Sequence, residues 1–117
     1  GGSQRLPRLG GRTKALEFLI LGTQVSAPEA LALGLVNRLT KEGETLNDAK
    51  ALAREIAKRP PIATRLIIEC VDRGLDGPID AGMDLELHAF LKTLRTEDAA
   101  EGIQAFFQKR PPEFKGR

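Results

Sequence analysis

Hydrophobic positions recur every three or four residues along most of this chain, and the alternation typical of β-strands is almost absent. The pattern predicts a first short helix at residues 13–21, which Gly22 ends. The apolar side of this helix is wide, so we expect it to be buried. Its members are Ala15, Leu16, Leu19 and Ile20.

A second short helix is predicted after Ser26. Ser26 and Glu29 have the spacing of a capping box, in which the hydroxyl accepts a backbone N–H of the first turn and the carboxylate reaches back. This helix is predicted to end at Gly34. Residues 35–39 are then predicted to form a short extended, β-like segment that leads into a polar loop at 40–44.

Two amphipathic helices are separated by a pair of prolines. The first starts at Leu46 and ends at Pro60-Pro61, because proline disrupts a helix interior. Pro61 can also open the next helix, since the first turn has no intrahelical partner for the missing N–H. Gly74 is predicted to close that second helix. Its inward residues are expected to be Ala63, Leu66, Ile67, Cys70 and Val71.

Two further helices complete the pattern. The first is predicted at 78–94 and is long enough to act as an assembly element. Thr96 is a good N-cap for the last helix, which continues through Phe107 until Pro111-Pro112 ends it. An extended tail follows, and Phe114 is interpreted as its anchor. The long helix carries an apolar stripe formed by Ile79, Met83, Leu87, Phe90 and Leu94.

The composition is that of an ordinary globular chain of about one domain, with 41% hydrophobic residues, 29% charged residues and a formal net charge of +2. The 18 Lys and Arg residues are interspersed with 16 Asp and Glu residues, which argues against nucleic-acid binding. No apolar run is long enough for a membrane span. The single cysteine, Cys70, fits a reducing compartment, and one cysteine with one histidine, His88, cannot build a zinc cluster.

Three segments in a fixed order carry a family resemblance. Residues 1–8 read Gly-Gly-Ser-Gln-Arg-Leu-Pro-Arg, and residues 26–37 include Glu-Ala-x-x-x-Gly-Leu-Val. Residues 106–116 read Phe-x-x-Lys-Arg-x-Pro-x-Phe-x-Gly. Each resembles a motif in the C-terminal half of the enoyl-CoA hydratase/isomerase, or crotonase, family. The resemblance covers essentially all 117 residues.

The resemblance implies a mainly α fold. The chain would be the C-terminal helical region of a crotonase-type (ClpP/crotonase) α/β fold, with the sheet core largely absent from this chain. We interpret residues 1–117 as one unit. Within it, residues 1–44 would be the end of the crotonase core, and residues 45–117 would be a C-terminal helical assembly region.

The implied activity is hydration or isomerisation of an acyl-CoA thioester, as in β-oxidation, with the coenzyme A thioester as substrate and no covalently bound cofactor. Such enzymes need backbone N–H donors for the thioester oxyanion and carboxylates that transfer protons. In the family both precede the motif at residues 1–8, so we expect no catalytic residue and no activity in this chain alone. No metal site is expected either, because the chain has a single histidine and a single cysteine. Its own glutamates are interpreted as surface, cap or ion-pair residues: Glu17, Glu29, Glu55, Glu69 and Glu86.

The resemblance also implies contacts to coenzyme A near the end of the chain. In the family an aromatic pair and a lysine of the C-terminal helices hold the adenine and phosphate end, and the matching residues are Phe90, Phe106 and Lys109. An aromatic face can stack on adenine, and an ammonium group attracts phosphate. Core packing stays an alternative for both phenylalanines, because they also lie on apolar stripes at helical spacing. Arg110 is a further candidate.

A non-catalytic helical oligomerisation module is the main alternative, since apolar stripes without a sheet favour self-association or a partner. The expected partners are an acyl-CoA and either further copies in a trimer or hexamer or a chain that supplies the N-terminal half. RNA and membranes are not expected. The expected location is the cytoplasm, or the mitochondrial matrix in a eukaryote with an upstream targeting segment. The acyl chain, and the choice between hydratase and isomerase, stay open.

Overall fold

The computed structural model describes residues 1–117, and no residue is in a strand. This confirms the mainly α fold. The helices are α1 Gly2–Gly10, α2 Arg12–Leu21, α3 Ala27–Ala32, α4 Thr45–Ala57, α5 Pro61–Gly74, α6 Ile79–Leu94 and α7 Glu97–Gln108. The chain divides into two compact units, Gly1–Asp48 and Ala49–Arg117. The helix α4 begins in the first unit and ends in the second. The interpretation of 1–44 and 45–117 as two parts of a larger crotonase stays a prediction.

The first unit begins with a helix that the hydrophobic pattern does not predict. α1 starts at Gly2 and contains Pro7, and both residue types are poor helix formers. α1 packs on α2, and the approach is close enough that a Cβ added to Gly2 would lie 3.5 Å from a methyl carbon of Leu19. Tertiary contact therefore supports a short helix that intrinsic propensity alone does not favour.

α2 forms close to its predicted bounds, and Gly22 ends it in the left-handed conformation with φ 63°. Its buried residues are Ala15 and Phe18, three positions apart on one side of the helix. The prediction that the rest of the apolar side is buried is wrong. The first unit leaves that side uncovered, and the exposed residues are Leu16, Leu19 and Ile20.

The capping box of α3 is confirmed. The Glu29 N–H donates to Ser26 Oγ at 3.4 Å, and the Glu29 carboxylate accepts from the Ser26 N–H at 3.0 Å and from its hydroxyl at 2.6 Å. These bonds, the hydroxyl first and the backbone second, lower the pKa of Glu29. After α3, Gly34 takes a left-handed conformation with φ 71°. The prediction of a β-like segment at 35–39 is wrong: it is irregular, because no neighbouring strand pairs with it.

Replacing Ser26 with alanine should weaken the start of α3 by about 1 kcal/mol, the usual cost of losing a side-chain N-cap. The Glu29 N–H then loses its acceptor. Amide hydrogen exchange measures the loss as faster exchange in the first turn of α3. Ser26→Thr is the matched control, because threonine keeps a capping hydroxyl. Exchange as slow in Ser26→Ala as in the unmodified chain would contradict this role of the cap.

α5 and α6 form an antiparallel helical pair in the second unit. α5 begins with Pro61 at its first position and ends at Gly74, as predicted. The two helices come close where glycines face each other, since a Cβ on Gly82 would lie 3.5 Å from the Gly74 Cα. Along the same contact the Cys70 Sγ lies 3.9 Å from the carbonyl oxygen of Leu85. Cys70 is therefore a half-buried packing residue between the two helices.

The outer surface of this helical pair is strongly apolar. Leu66 is the one buried residue of α5, and α6 has none. The prediction that Ile67 and Val71 are buried is wrong: both line the groove between α5 and α6, but α6 does not cover them and both are exposed. An apolar surface of this kind calls for a covering partner. The predicted stripe along α6 is exposed in full: Ile79, Met83, Leu87, Phe90 and Leu94.

Candidate functional site

The last helix, α7, positions two of the three predicted site residues. Its N-terminus is capped as predicted, since Thr96 Oγ1 accepts the Ala99 N–H at 3.1 Å. After Gln108, Lys109 takes a left-handed conformation with φ 54° and ψ 38°, and its N–H donates to the Phe106 carbonyl at 3.2 Å. Lys109 is the only residue other than glycine with positive φ. This backbone is unfavourable for lysine, so the surrounding structure must hold it in place.

Phe106 and Phe107 form an exposed aromatic pair on the last turn of α7. Their exposed fractions are 79% and 78%, and their ring centroids lie 5.8 Å apart in an edge-to-face arrangement. The preceding residue, Ala105, is buried. Phe106 is therefore not packed in the core of this unit, and its ring is open to a planar ligand. Phe107 was not among the predicted site residues, although its position next to Phe106 in the sequence could have suggested it.

Phe90, the third predicted site residue, is on a different helix from Phe106 and Phe107. It is on α6, 56% exposed, and lines a groove of about 290 Å³ with α5 residues that include Ala63 and Cys70. The structure thus brings Phe106 and Lys109 together at the end of α7 and places Phe90 in this groove between α5 and α6. The role of all three residues in binding coenzyme A stays a prediction.

The residues after Lys109 fold back along α7, and three carboxylates of α7 bond them there: Glu101, Asp98 and, at the end of the chain, Glu97, which pairs with Arg117 at 2.9 Å. We call residues 110–117 the C-terminal strap. Glu101 accepts two hydrogen bonds from the Arg110 guanidinium, at 2.6 and 2.9 Å, and one from the Glu113 N–H at 2.8 Å. The Arg110 side chain first, and the Glu113 N–H second, lower the pKa of Glu101 from 4.5 to about 2. The Arg110 guanidinium therefore binds Glu101 of α7 and helps to hold the strap against this helix.

The lowered pKa of Glu101 sets the pH range over which this anchor acts. A carboxyl group with a lower pKa in the folded than in the unfolded state stabilises the folded state above its unfolded pKa. The contribution of Glu101 is therefore complete above about pH 4.5 and is lost as the pH falls towards 2. The strap is expected to be fully anchored at neutral pH.

Asp98 anchors the far end of the strap. It is only 3% exposed, and its carboxylate accepts the N–H groups of Lys115 at 2.6 Å and Gly116 at 2.8 Å. The N–H of Asp98 lies in the first helical turn, where it has no intrahelical acceptor, and it donates to the Arg117 carbonyl at 3.2 Å. The end of the strap and the start of α7 therefore satisfy each other's backbone groups.

Apolar contacts lie along the same strap. The Phe114 ring lies over Gly102 of α7, where an added Cβ would be 3.5 Å from the ring, in agreement with the predicted role of Phe114 as an anchor. A Cβ added to Gly116 would likewise lie 3.4 Å from the side chain of Pro61 at the start of α5. The strap thus packs against two helices of the second unit.

The five glutamates predicted to be surface, cap or ion-pair residues lie in such positions. Glu29 belongs to the capping box, and Glu86 is exposed on α6. No group of three or more His, Cys, Asp or Glu residues is placed to hold a metal ion. None of the helices has the length and hydropathy needed to cross a membrane. The exposed ion pairs are Lys14–Glu17, Lys58–Glu55, Arg73–Glu69 and, at the end of the strap, Arg117–Glu97.

Comparison with known proteins decides the family. The profile described as enoyl-CoA hydratase/isomerase matches residues 1–117. The chain belongs to the enoyl-CoA hydratase/isomerase family. This family member is 42% identical to the bovine protein named enoyl-CoA hydratase domain-containing protein 2, mitochondrial, over 99% of the chain and 40% of that protein. It is 37% identical to the short-chain-enoyl-CoA hydratase of Clostridium acetobutylicum, over 100% of the chain and 45% of that protein.

Solved structures identify the part of the enoyl-CoA hydratase/isomerase fold that is present. A crystal structure of enoyl-CoA hydratase subunit I from Geobacillus kaustophilus matches with a TM-score of 0.95 and 42% identity, over 100% of this chain and 46% of that chain. The chain spans less than half the length of the curated relatives it matches. It is the helical portion of the crotonase fold, as predicted.

Proposed function

We propose that this chain supplies the coenzyme A-binding and assembly part of an acyl-CoA hydratase or isomerase, and that it is inactive without the N-terminal half of the crotonase fold. One observation carries the proposal: the family matches all 117 residues, yet the chain covers 40% and 45% of two such relatives. The amides of the oxyanion hole and the proton-transferring glutamates would belong to the other part. A hydration assay with and without that part tests this division.

The exposed apolar surface supports the same proposal. Met83, Leu87 and Leu94 lie on one stripe of α6 and are exposed, although water is an unfavourable environment for such a surface. In a complete crotonase the sheet core and further subunits would cover it. A trimer or hexamer is part of the proposal, as is a location in the cytoplasm or, in a eukaryote, the mitochondrial matrix.

The end of α7 is the part of this chain that we propose contacts coenzyme A. The exposed ring of Phe106 offers a face for adenine, and Lys109 follows it by three residues with an exposed side chain. An ammonium group near a phosphate gains Coulomb energy, more so where water is partly excluded. Phe90 enters the proposal as the second aromatic residue.

In the enzyme completed by an N-terminal half, Lys109→Ala should weaken coenzyme A binding about tenfold, which corresponds to roughly 1.4 kcal/mol for one partly screened phosphate contact. Isothermal titration with coenzyme A measures the change. Because the contact is electrostatic, the difference should shrink as salt is added. Lys50→Ala, an exposed lysine on α4, is the matched control and should leave the affinity unchanged. An affinity of Lys109→Ala equal to that of the control would remove Lys109 from the site.

A further inference from the structure

We propose that Asp98 and Glu101 are positioning residues for coenzyme A binding, which act by holding the C-terminal strap against α7 and thereby fixing the backbone of Lys109. The inference rests on the proposed contact between Lys109 and the phosphates. It gives a function to two carboxylates that have no place in the proton transfer or in the proposed contact with the ligand.

Lys109 is the joint between α7 and the strap, and it is constrained from both sides. On the helix side its N–H donates to the Phe106 carbonyl. On the strap side the Arg110 N–H donates to the Ala105 carbonyl at 3.1 Å, and the Arg110 guanidinium bonds Glu101. A left-handed backbone is costly for lysine, so we expect Lys109 to leave this conformation once the strap is released.

The two anchors match the spacing of the strap. Asp98 and Glu101 are three residues apart, so they lie on one side of α7 and are about 4.5 Å apart along its axis. Their backbone donors, Glu113 and Lys115, are two residues apart on the strap. An extended, proline-rich segment rises about 3.1 Å per residue, or about 6 Å over that interval. The helix and the strap can therefore run side by side with both anchors formed.

The chemistry of the anchors favours a rigid strap. Glu101 and Arg110 form a two-bond pair, a planar geometry that arginine provides and lysine does not. Asp98 is buried and bonds backbone N–H groups. Pro111 and Pro112 restrict the unanchored strap, which lowers the conformational entropy lost when it is ordered. A lysine presented by such a strap needs little further ordering when it binds a phosphate.

Two variants of the completed enzyme test the inference. Glu101→Gln and Arg110→Lys should each raise the Kd for coenzyme A about threefold to tenfold, because the competent position of Lys109 is then populated less. The KM for the enoyl thioester should rise with little change in kcat, since no reacting atom is touched. The Glu113 amide should exchange faster with solvent in both variants. Glu69→Gln breaks an exposed arginine pair on α5 and is the control that should change none of these.

Combining variants separates positioning from general stability. If Glu101 acts through Lys109, Glu101→Gln should add no further loss of affinity to Lys109→Ala. Losses that add in full would overturn the positioning role. The positioning role would also be overturned if Lys109→Ala bound coenzyme A more weakly while Glu101→Gln and Arg110→Lys kept the unmodified affinity. That outcome would leave the proposed function intact. An unchanged affinity in Lys109→Ala would overturn the contact itself and this inference with it.

Discussion

The 117-residue chain alone is expected to hydrate crotonyl-CoA no faster than buffer, and an added N-terminal half should raise the rate by about a millionfold or more, the range of enzymatic accelerations. The reason is that an oxyanion hole and positioned carboxylates act together, and we place both outside this chain. Loss of the ultraviolet absorbance of the conjugated enoyl thioester measures the rate. A practical donor is the part of the Geobacillus kaustophilus enzyme that this chain does not match, co-expressed as a separate polypeptide.

Two controls make this experiment decisive. The donor half alone should be inactive, because it lacks the helical cover and the proposed coenzyme A contacts. Strong turnover by the pure 117-residue chain would show that its own carboxylates perform the chemistry. A stable complex of both halves without activity would instead favour the helical oligomerisation module, in which this chain has an assembly role alone.

The helix ends were predictable because their signals are local. Gly22, the Ser26–Glu29 capping box, Pro61 and Thr96 each act within one helical turn, and each lies where its residue type predicts. The hydrophobic pattern does not predict α1 for the opposite reason: its glycines and Pro7 disfavour a helix, and contact with α2 supports it. Local chemistry thus determines where most of these helices begin and end.

Burial was predicted less well, because it depends on what covers each helix. The apolar periodicity of α5 correctly indicates which residues share a face, since all five of its predicted inward residues line the groove beside α6. It does not say whether the covering surface belongs to the same chain. Val71 and Ile67 are exposed here for that reason. Their hydrophobicity fits a surface that the remainder of a crotonase would bury.

The candidate site was only partly readable from the sequence. Phe90, Phe106 and Lys109 come from the family resemblance, and periodicity alone interprets both phenylalanines as core residues. The sequence predicts an extended tail anchored by Phe114, but not the hydrogen bonds that hold this strap, because these bonds join distant positions: Asp98 accepts from Lys115, 17 residues away, and Glu101 pairs with Arg110, nine residues away. The donors to Asp98 are backbone N–H groups, which every residue except proline carries. Such a contact has no sequence signature.

Asp98→Ala should release the strap, with the Lys115 and Gly116 amides exchanging about 30-fold faster in the completed enzyme. Truncation of the buried carboxylate leaves two N–H groups without their acceptor, at a cost of roughly 2 kcal/mol in local stability. Hydrogen exchange resolved to single amides measures the effect. In Asp98→Asn the exchange rates should lie between those of the unmodified protein and those of Asp98→Ala. The amide oxygen of asparagine still accepts a hydrogen bond, but its NH2 group faces a second backbone donor.

Asp80→Ala is the matched control, because Asp80 is the second residue of α6 as Asp98 is of α7, and Asp80 is exposed. Both substitutions remove a negative charge that favours the positive end of the helix dipole. The difference between the two variants therefore isolates the hydrogen bonds to the strap. Equal exchange of the Lys115 amide in Asp98→Ala and Asp80→Ala would mean that Asp98 serves the helix alone. A difference of the expected size would instead make this buried carboxylate the anchor that orders the end of the strap.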